Sequence, residues 1–163
     1  AVKIDDHAIR FQGEYAPMLR SVFMHLISNS IDHAFSAHTD RTYTVTMDIS
    51  IEHNNIIFNY SDNGSGLDMV SLREKGINNG FLATNTQLTE SQEIANQLLK
   101  SGISTAHTIT DVSGRGVGMN AVDSYVKELG GDIKVILIEK SLEFCPFFFQ
   151  ITLPDYIAIN LAS

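Results

Sequence analysis

The spacing of apolar residues along the chain predicts a helix followed by a β-hairpin in the first 60 residues. Apolar side chains recur at helical spacing between Pro17 and Phe35: Leu19, Val22, Phe23, Leu26, Ile27 and Ile31. Residues 43–51 then alternate with β-branched residues, which is typical of a strand. His53-Asn54-Asn55 is a turn signal, and residues 56–60 return as a second strand that leads to Asp62.

The C-terminal part of the chain predicts a second helix and a second hairpin. Residues 117–129 have a helical pattern that ends at Gly130-Gly131, and two apolar strands follow at 133–138 and 147–153. Residues 9–11 are a further short strand, and the apolar tail 157–159 is expected to pack on the body or to lead to another domain. This order of elements predicts one α+β domain over residues 1–163. We expect a two-layer sandwich with helices on one face of a mostly antiparallel mixed sheet.

Residues 68–113 have a different composition from the rest of the chain. They are rich in Asn, Thr, Ser, Gln and Gly, with weak helical patches at 69–75 and 93–99. A polar stretch of this length between ordered elements is usually functional or mobile. We therefore expect a mobile lid over about residues 67–113.

Composition limits the possible partners. With 44% hydrophobic and 18% charged residues the chain is typical of a globular protein. The net charge of −8 argues against a nucleic-acid surface, which needs a basic stripe. An acidic domain that binds phosphates must meet them with a divalent cation and backbone amides. The single cysteine, Cys145, lies in an apolar context and is expected to be a packed thiol.

Two features of the sequence suggest its cellular context. No apolar run approaches the ~18 residues of a membrane span, so no direct membrane span is expected. The chain starts at Ala1 without a Met and shows no signal-peptide pattern. We expect a domain cut from a larger cytoplasmic protein.

The first helix carries a polar stripe beside its apolar face. His25, Asn29, Asp32 and His33 fall at i, i+4, i+7 and i+8 and share one side. The opposite side is apolar and is expected to face the sheet: Val22, Leu26, Ile27 and Ile31. The amide oxygen of Asn29 is a hard ligand suited to Mg²⁺. A solvated face, or a hydrogen-bonded core histidine at His33, remains an alternative, and a zinc site from His25 and His33 would lack further ligands.

The first of two glycine boxes is Asp62-Asn63-Gly64-Ser65-Gly66. Its carboxylate follows a strand and can accept a hydrogen bond from an exocyclic amine such as that of adenine. The glycines allow a tight turn and the close approach of a flat ligand. An ordinary Asp-Asn-Gly turn is the alternative.

The second glycine box is Gly114-Arg115-Gly116-Val117-Gly118, which leads into a predicted helix. Glycine-rich backbone at a helix N-terminus presents free N–H groups to phosphate, and Arg115 adds a positive charge. The residue three after Gly116 is Met119, so the box is not the dinucleotide fingerprint, and the chain has no P-loop motif.

Together these segments resemble the GHKL superfamily of ATP-binding domains, in particular those of CheA-like chemotaxis histidine kinases. His25 to His33 matches the N box of that family, and Asp62 to Leu67 matches its first glycine box. Gly102 to Ala106, followed by Thr110 to Met119, is similar to its lid-to-glycine segment. The resemblance covers about residues 18–153.

The resemblance implies a Bergerat-type ATP-binding fold with an ATP lid, and ATP and Mg²⁺ as cofactors. Asn29 would hold Mg²⁺, Asp62 would bind adenine, and His25 with His33 would help to position the γ-phosphoryl group. The implied nucleotide contacts are Asn29, Asp32, Asp62, Gly64, Gly66, Ser104, Thr105, Gly114, Arg115, Gly116, Val117, Gly118 and Met119.

The function that the resemblance implies is phosphorylation of a histidine in two-component signalling. The partners would be a histidine phosphotransfer domain, a response regulator, and the dimerisation and regulatory domains of the parent kinase. The chain departs from the family pattern at Ser28, at Ala34 and over Glu139 to Pro146, where a Gly-Thr-rich turn is usual. A GHKL ATPase, a protein serine kinase or a degenerate nucleotide-binding module remain alternatives, although a hydrolase would want a carboxylate in place of His25.

Overall fold

The computed structural model describes residues 3–4, 9–34, 42–99, 119–139 and 143–159. The α-helices of these segments are α1 (Ala16–Asn29), α2 (Met69–Asn78), α3 (Ser91–Ala95) and α4 (Met119–Glu128). A π-helical turn (Ser30–Ala34) continues α1, and 3-10 turns occur at Asn96–Leu99 and Asp155–Ile157. The strands are β1 (Lys3–Ile4), β2 (Arg10–Phe11), β3 (Val45–Glu52), β4 (Asn55–Asp62), β5 (Leu67–Asp68), β6 (Asp132–Leu137), β7 (Phe144–Cys145), β8 (Phe147–Pro154) and β9 (Ala158–Ile159).

The central sheet has five strands in the order β1-β3-β4-β8-β6. β1 pairs with β3 in parallel, and the other pairs are antiparallel. Two small antiparallel pairs, β2–β9 and β5–β7, lie outside it. The β3–β4 hairpin turns at His53 and Asn54, whose φ angles are 48° and 64°. These strands confirm the expected α+β fold with a mostly antiparallel mixed sheet.

The core lies between one face of this sheet and the helices. Alternate residues of β4, β6 and β8 are buried: Ile56, Phe58, Tyr60, Ile133, Val135, Phe149, Ile151 and Leu153. They form one cluster with apolar residues of α1 and α4: Leu19, Val22, Leu26, Val122 and Val126. Each fully buried side chain of this kind contributes about 1.5–3 kcal/mol. The other sheet face carries polar pairs such as Gln150 and Asn59, whose side chains hydrogen-bond at 3.3 Å.

The apolar face of α1 differs from the expected one. Leu26 is buried, but Ile27 and Ile31 are 38% and 59% exposed. The prediction that both isoleucines face the sheet was therefore wrong. The buried stripe continues from Leu26 to Ser30, four residues on, and Ile27 lies about 100° around the helix from it. Ser30 takes the buried position because its hydroxyl finds hydrogen-bond partners on β4.

Residues 67–99 belong to the core, although they form the first part of the expected lid. The helical patches expected at 69–75 and 93–99 are present as α2 and as α3 with its 3-10 turn. The buried apolar side chains of residues 67–99 are Leu67, Met69, Leu72, Leu82, Ile94, Ala95 and Leu98. Arg73 donates to the carbonyl of Thr86 at 2.6 Å, which holds the intervening loop against α2. Residues 100–113 lie outside the described residues, and a lid there stays a prediction.

The C-terminal tail and the cysteine are packed as the sequence predicts. Ile157 is fully buried, and β9 pairs with β2, so the tail lies on the body of the domain. Cys145 is fully buried in β7. In the described part of the chain, no helix has both the length and the apolar character that crossing a membrane requires.

Candidate nucleotide site

Asp62 lies at the last position of β4, and both of its carboxylate oxygens accept hydrogen bonds. The backbone N–H of Gly64 donates to Oδ1 at 2.9 Å, and the Ser30 hydroxyl donates to Oδ2 at 2.7 Å. A carboxylate oxygen has two lone pairs, so each can accept one more donor. Asp62 is partly exposed, so its carboxylate is both held in one orientation and open to a ligand.

Behind Asp62, a hydrogen-bond chain extends into the core. Ser30 Oγ lies 2.9 Å from the Tyr60 hydroxyl, and both residues are 3% exposed. A serine hydroxyl has one proton, and Ser30 donates it to Asp62. Tyr60 must therefore donate to Ser30. Burial raises the pKa of Tyr60 above 10.0, and the charge of Asp62 raises it further. Tyr60 is thus a neutral donor near neutral pH.

Sequence reasoning missed Ser30 and Tyr60, although both left a signal. Ser30 is a polar residue at the next position of the apolar stripe of α1, four residues after Leu26. Tyr60 precedes Asp62 by two residues and so lies on the same face of β4. A buried polar group on each of two packed elements is a reason to look for a hydrogen bond between them.

Asn29 is the last residue of α1 and directly precedes Ser30. Its side-chain amide is half-buried, and Nδ2 donates to Met119 Sδ at 2.8 Å. Because the carboxamide is planar, this contact turns Oδ1 away from the sulfur. Neighbouring residues at the end of α1 thus connect to two elements, Asn29 to α4 and Ser30 to β4.

His25 lies one helical turn before Asn29. Its ring stacks on Tyr125 of α4, with ring centroids 6.3 Å apart and planes inclined by 19°. Asp32 is exposed, and its Oδ2 accepts from Ser28 Oγ at 3.1 Å. The backbone of His33 is in the π-helical turn, and its side chain lies outside the described residues. Of the four expected polar residues, the structure brings His25 and Asn29 against α4.

Contacts with neighbouring backbone fix the turn of the first glycine box. Gly66 has a φ of 82°, and a Cβ there would lie 2.6 Å from the carbonyl oxygen of Cys145. The Asn63 side chain hydrogen-bonds to the backbone of Thr42 and Thr44, at 3.1 and 2.8 Å. In the described residues, Gly66 therefore meets protein backbone at the β5–β7 pair, and Gly64 orients Asp62.

The segment Glu139 to Pro146, where the sequence departs from the family pattern, contains β7. This strand pairs with β5, and the carbonyl of Glu143 accepts from the N–H of Met69 at 2.8 Å. The chain therefore uses this segment to close the first glycine box and to hold the start of α2.

Several expected contacts lie outside the described residues. They are Ser104, Thr105, Gly114, Arg115, Gly116, Val117 and Gly118. Within the described segments, no group of three or more His, Cys, Asp or Glu side chains could hold a metal ion. A magnesium ion on a nucleotide needs fewer protein ligands, because phosphates and water fill most of its six positions. The amide oxygen of Asn29 and the oriented carboxylate of Asp62 fit such a metal–nucleotide complex.

Comparison with known proteins shows the family to which the chain belongs. Residues 14–156 match the family described as histidine kinase-, DNA gyrase B-, and HSP90-like ATPase. The chain is 36% identical over 120 residues to the sensor histidine kinase CheAY of Helicobacter pylori, covering 69% of this chain and 15% of that protein. It is 33% identical over 144 residues to the chemotaxis protein CheA of Bacillus subtilis, covering 83% of this chain and 21% of that protein.

A solved structure supports the fold. The catalytic domain of the histidine kinase ThkA has a TM-score of 0.51 at 11% identity, covering 85% of this chain and 67% of that one. The two relatives named above are much longer proteins, of which the chain spans 15% and 21%. The chain therefore belongs to the family of histidine kinase-, DNA gyrase B- and HSP90-like ATPases, and it is similar to the ATP-binding catalytic domain of CheA histidine kinases.

Proposed function

We propose that the chain binds ATP with Mg²⁺ and supplies its γ-phosphoryl group to a histidine, as the catalytic domain of a larger cytoplasmic CheA-like kinase. The observation that carries the proposal is Asp62, fixed by Ser30 and Gly64 beside a helix that ends in Asn29. The acceptor would belong to a histidine phosphotransfer domain, and a response regulator would receive the group next. One relative is a sensor histidine kinase, which supports a histidine as the acceptor.

Asp62 favours adenine over guanine. Its carboxylate only accepts hydrogen bonds, and Ser30 and Gly64 already donate to it. The exocyclic amine of adenine can donate to a remaining lone pair, whereas guanine presents O6, an acceptor, at the equivalent position. Two acceptors that face each other repel, so GTP is expected to bind much more weakly.

Asn29 is proposed as the protein ligand of Mg²⁺, which its amide oxygen would hold while the amide nitrogen contacts Met119. When bound, the ion would neutralise phosphate charge. The chain has a net charge of −8 and therefore few basic side chains that could do so instead. His25, one turn earlier on the same face, would help to position the γ-phosphoryl group.

Calorimetry with ATP, ADP and GTP tests the adenine assignment. Asp62→Asn replaces an acceptor by a donor at constant size and should weaken ATP binding by about 1–3 kcal/mol, roughly fivefold to 150-fold. Asp48→Asn is the matched control. Because Asp48 is an exposed carboxylate on β3, this variant should bind ATP with normal affinity. Equal affinity for GTP and ATP would contradict the assignment.

Transfer is tested with labelled ATP. The chain is incubated with purified histidine phosphotransfer domains, and label on a histidine is the expected product. ATP consumption without protein labelling would instead favour the ATPase alternative. Binding without either reaction would favour a nucleotide-binding module.

A further inference from the structure

We propose that Met119 is a positioning residue for the metal ligand, which it orients through a hydrogen bond from the Asn29 amide to its sulfur. The proposal rests on the proposed function, because it takes Asn29 as the Mg²⁺ ligand. It changes the role expected for Met119, from a nucleotide contact to a residue that acts through Asn29.

The geometry places the sulfur where it can fix the amide. Met119 is the first residue of α4 and is 6% exposed, and its Sδ lies 2.8 Å from Asn29 Nδ2. The oxygen and nitrogen of a carboxamide are bonded to the same carbon and point in different directions within one plane. When the nitrogen is held against the sulfur, the oxygen must point away from α4.

Without that contact, little would decide which way the amide faces. The backbone at Asn29 is fixed, because α1 continues into Ser30 and Ser30 is held by Asp62 and Tyr60. The last side-chain torsion of asparagine is broad and nearly two-fold, so oxygen and nitrogen can exchange places by rotation. With the nitrogen in the ligand position, the side chain would offer donors to a cation.

A methionine suits this task better than a purely apolar residue. Its sulfur is a weak acceptor, and its unbranched chain fills irregular space. Leucine has a similar volume but no acceptor, and the exchange usually costs less than about 1.5 kcal/mol of stability. Met119→Leu should therefore fold and differ mainly in the contact to Asn29. Met69→Leu is the matched control, because Met69 is also buried but lies at the start of α2.

The first measurement needs no nucleotide. In the free protein, the two side-chain amide protons of Asn29 are assigned by NMR from the signals that disappear in Asn29→Ala. A shifted signal for the proton facing the sulfur, and nuclear Overhauser effects between the amide protons and the Met119 methyl group, are expected in the wild type and in Met69→Leu. The shifted signal should be lost in Met119→Leu. An Asn29 side chain that samples both orientations of its last torsion equally in the wild type would overturn the proposal without any variant.

The second measurement separates metal from base binding. Met119→Leu should reduce the Mg²⁺-dependent gain in ADP affinity by about threefold to tenfold, the range of one net hydrogen bond. Adenosine binding without metal should not change, and Met69→Leu should change neither. In an Asn29→Ala background, adding Met119→Leu should have no further effect on the Mg²⁺ dependence.

The outcomes distinguish this proposal from the function on which it rests. If Asn29→Ala weakens Mg²⁺-dependent binding and Met119→Leu does not, the positioning role is refuted and the metal assignment stands. If Asn29→Ala has no effect on Mg²⁺-dependent binding, both are refuted.

Discussion

The hydrogen-bond chain from Tyr60 through Ser30 to Asp62 predicts that Ser30→Ala affects both stability and nucleotide binding. The substitution leaves the Tyr60 hydroxyl without its acceptor in a place that is 3% exposed. It also removes from Asp62 one hydrogen bond, whose length is 2.7 Å. Alanine otherwise suits a helix better than serine, so propensity alone would predict a small gain.

The expected loss can be worked out from these two contacts. A buried hydroxyl left unpaired costs about 1–2 kcal/mol, and a hydrogen bond to a charged group is worth about 1.5–3 kcal/mol. Water can replace part of the second contact, because Asp62 is partly exposed. We therefore expect Ser30→Ala to lower the free energy of unfolding by about 2–3 kcal/mol, or the Tm by about 5–10 °C for a chain of this size. ATP affinity should fall about tenfold, because Asp62 loses one of the two groups that orient it.

Urea unfolding and calorimetry measure the two effects. Ser28→Ala is the matched control, because its hydroxyl makes an exposed hydrogen bond to Asp32 from the same helix. It should change stability by no more than about 0.5 kcal/mol. Tyr60→Phe removes the donor alone and should cost about 0.5–1.5 kcal/mol. If Ser30→Ala is no less stable than Ser28→Ala, the hydrogen-bond chain contributes nothing and the reasoning fails.

Three further predictions follow from the packing around this site. Because folding raises the pKa of Tyr60, the stability contributed by its protonated hydroxyl should be complete below about pH 10 and lost as the pH rises through the folded pKa. Urea midpoints at alkaline pH should therefore fall less in Tyr60→Phe than in the wild type, and an equal fall would contradict this. Gly66→Ala should lower the free energy of unfolding by about 2–4 kcal/mol, against about 1 kcal/mol for Gly80→Ala, which shares a positive φ but has open space around it. Equal losses of stability in thermal unfolding would mean that the backbone at Cys145 moves to make room for the added methyl group. Hydrogen exchange without nucleotide should show protected amides at Ile94, Ala95 and Leu98, which are buried; rapid exchange there would support a lid that begins at Leu67.

The periodic elements could be predicted from the sequence because their patterns reflect one buried face. Strand β4 alternates buried and half-exposed residues along its length, as its sequence suggests. The error on α1 has a physical source. Ile27 and Ile31 fit an apolar stripe by residue type, but Ser30 occupies the buried phase. A hydrophobic pattern predicts that serine lies outside the core, because the pattern contains no information on the hydrogen bonds that Tyr60 and Asp62 make to the Ser30 hydroxyl.

Residues 67–99 are a second case in which the sequence pattern misjudged burial: they were expected in a mobile lid but are packed in the core. Composition made residues 67–99 look loosely packed, since polar residues outnumber apolar ones there. Seven apolar or small side chains at the right spacing were enough to bury the segment. Specific polar contacts hold the rest, such as Arg73 on the Thr86 carbonyl and the Gln92 amide on the carbonyl of Val135 at 2.7 Å. A composition average does not register contacts of this kind.

Candidate residues were predicted by type more readily than by role. Asp62 is an oriented acceptor, and Gly66, which was expected beside a ligand, makes room for the backbone of Cys145, a role that the sequence did not predict. A positive φ and a close backbone neighbour are tertiary facts, and the sequence shows only that glycine can satisfy them.

The end of α1 brings the two proposed binding groups of this acidic chain close together. The α-helix ends at Asn29 and the π-helical turn begins at Ser30, and such turns occur often at functional sites. Successive residues of a helix point about 100° apart. Asn29 therefore reaches α4, where Met119 holds its amide, while Ser30 turns inward to Asp62 at the end of β4. One peptide unit thus links Asn29, the proposed metal ligand, to Ser30, whose hydroxyl orients the proposed adenine acceptor Asp62. A shift of α4 that moves Asn29 would therefore be passed on to Asp62, and a shift of β4 to Asn29.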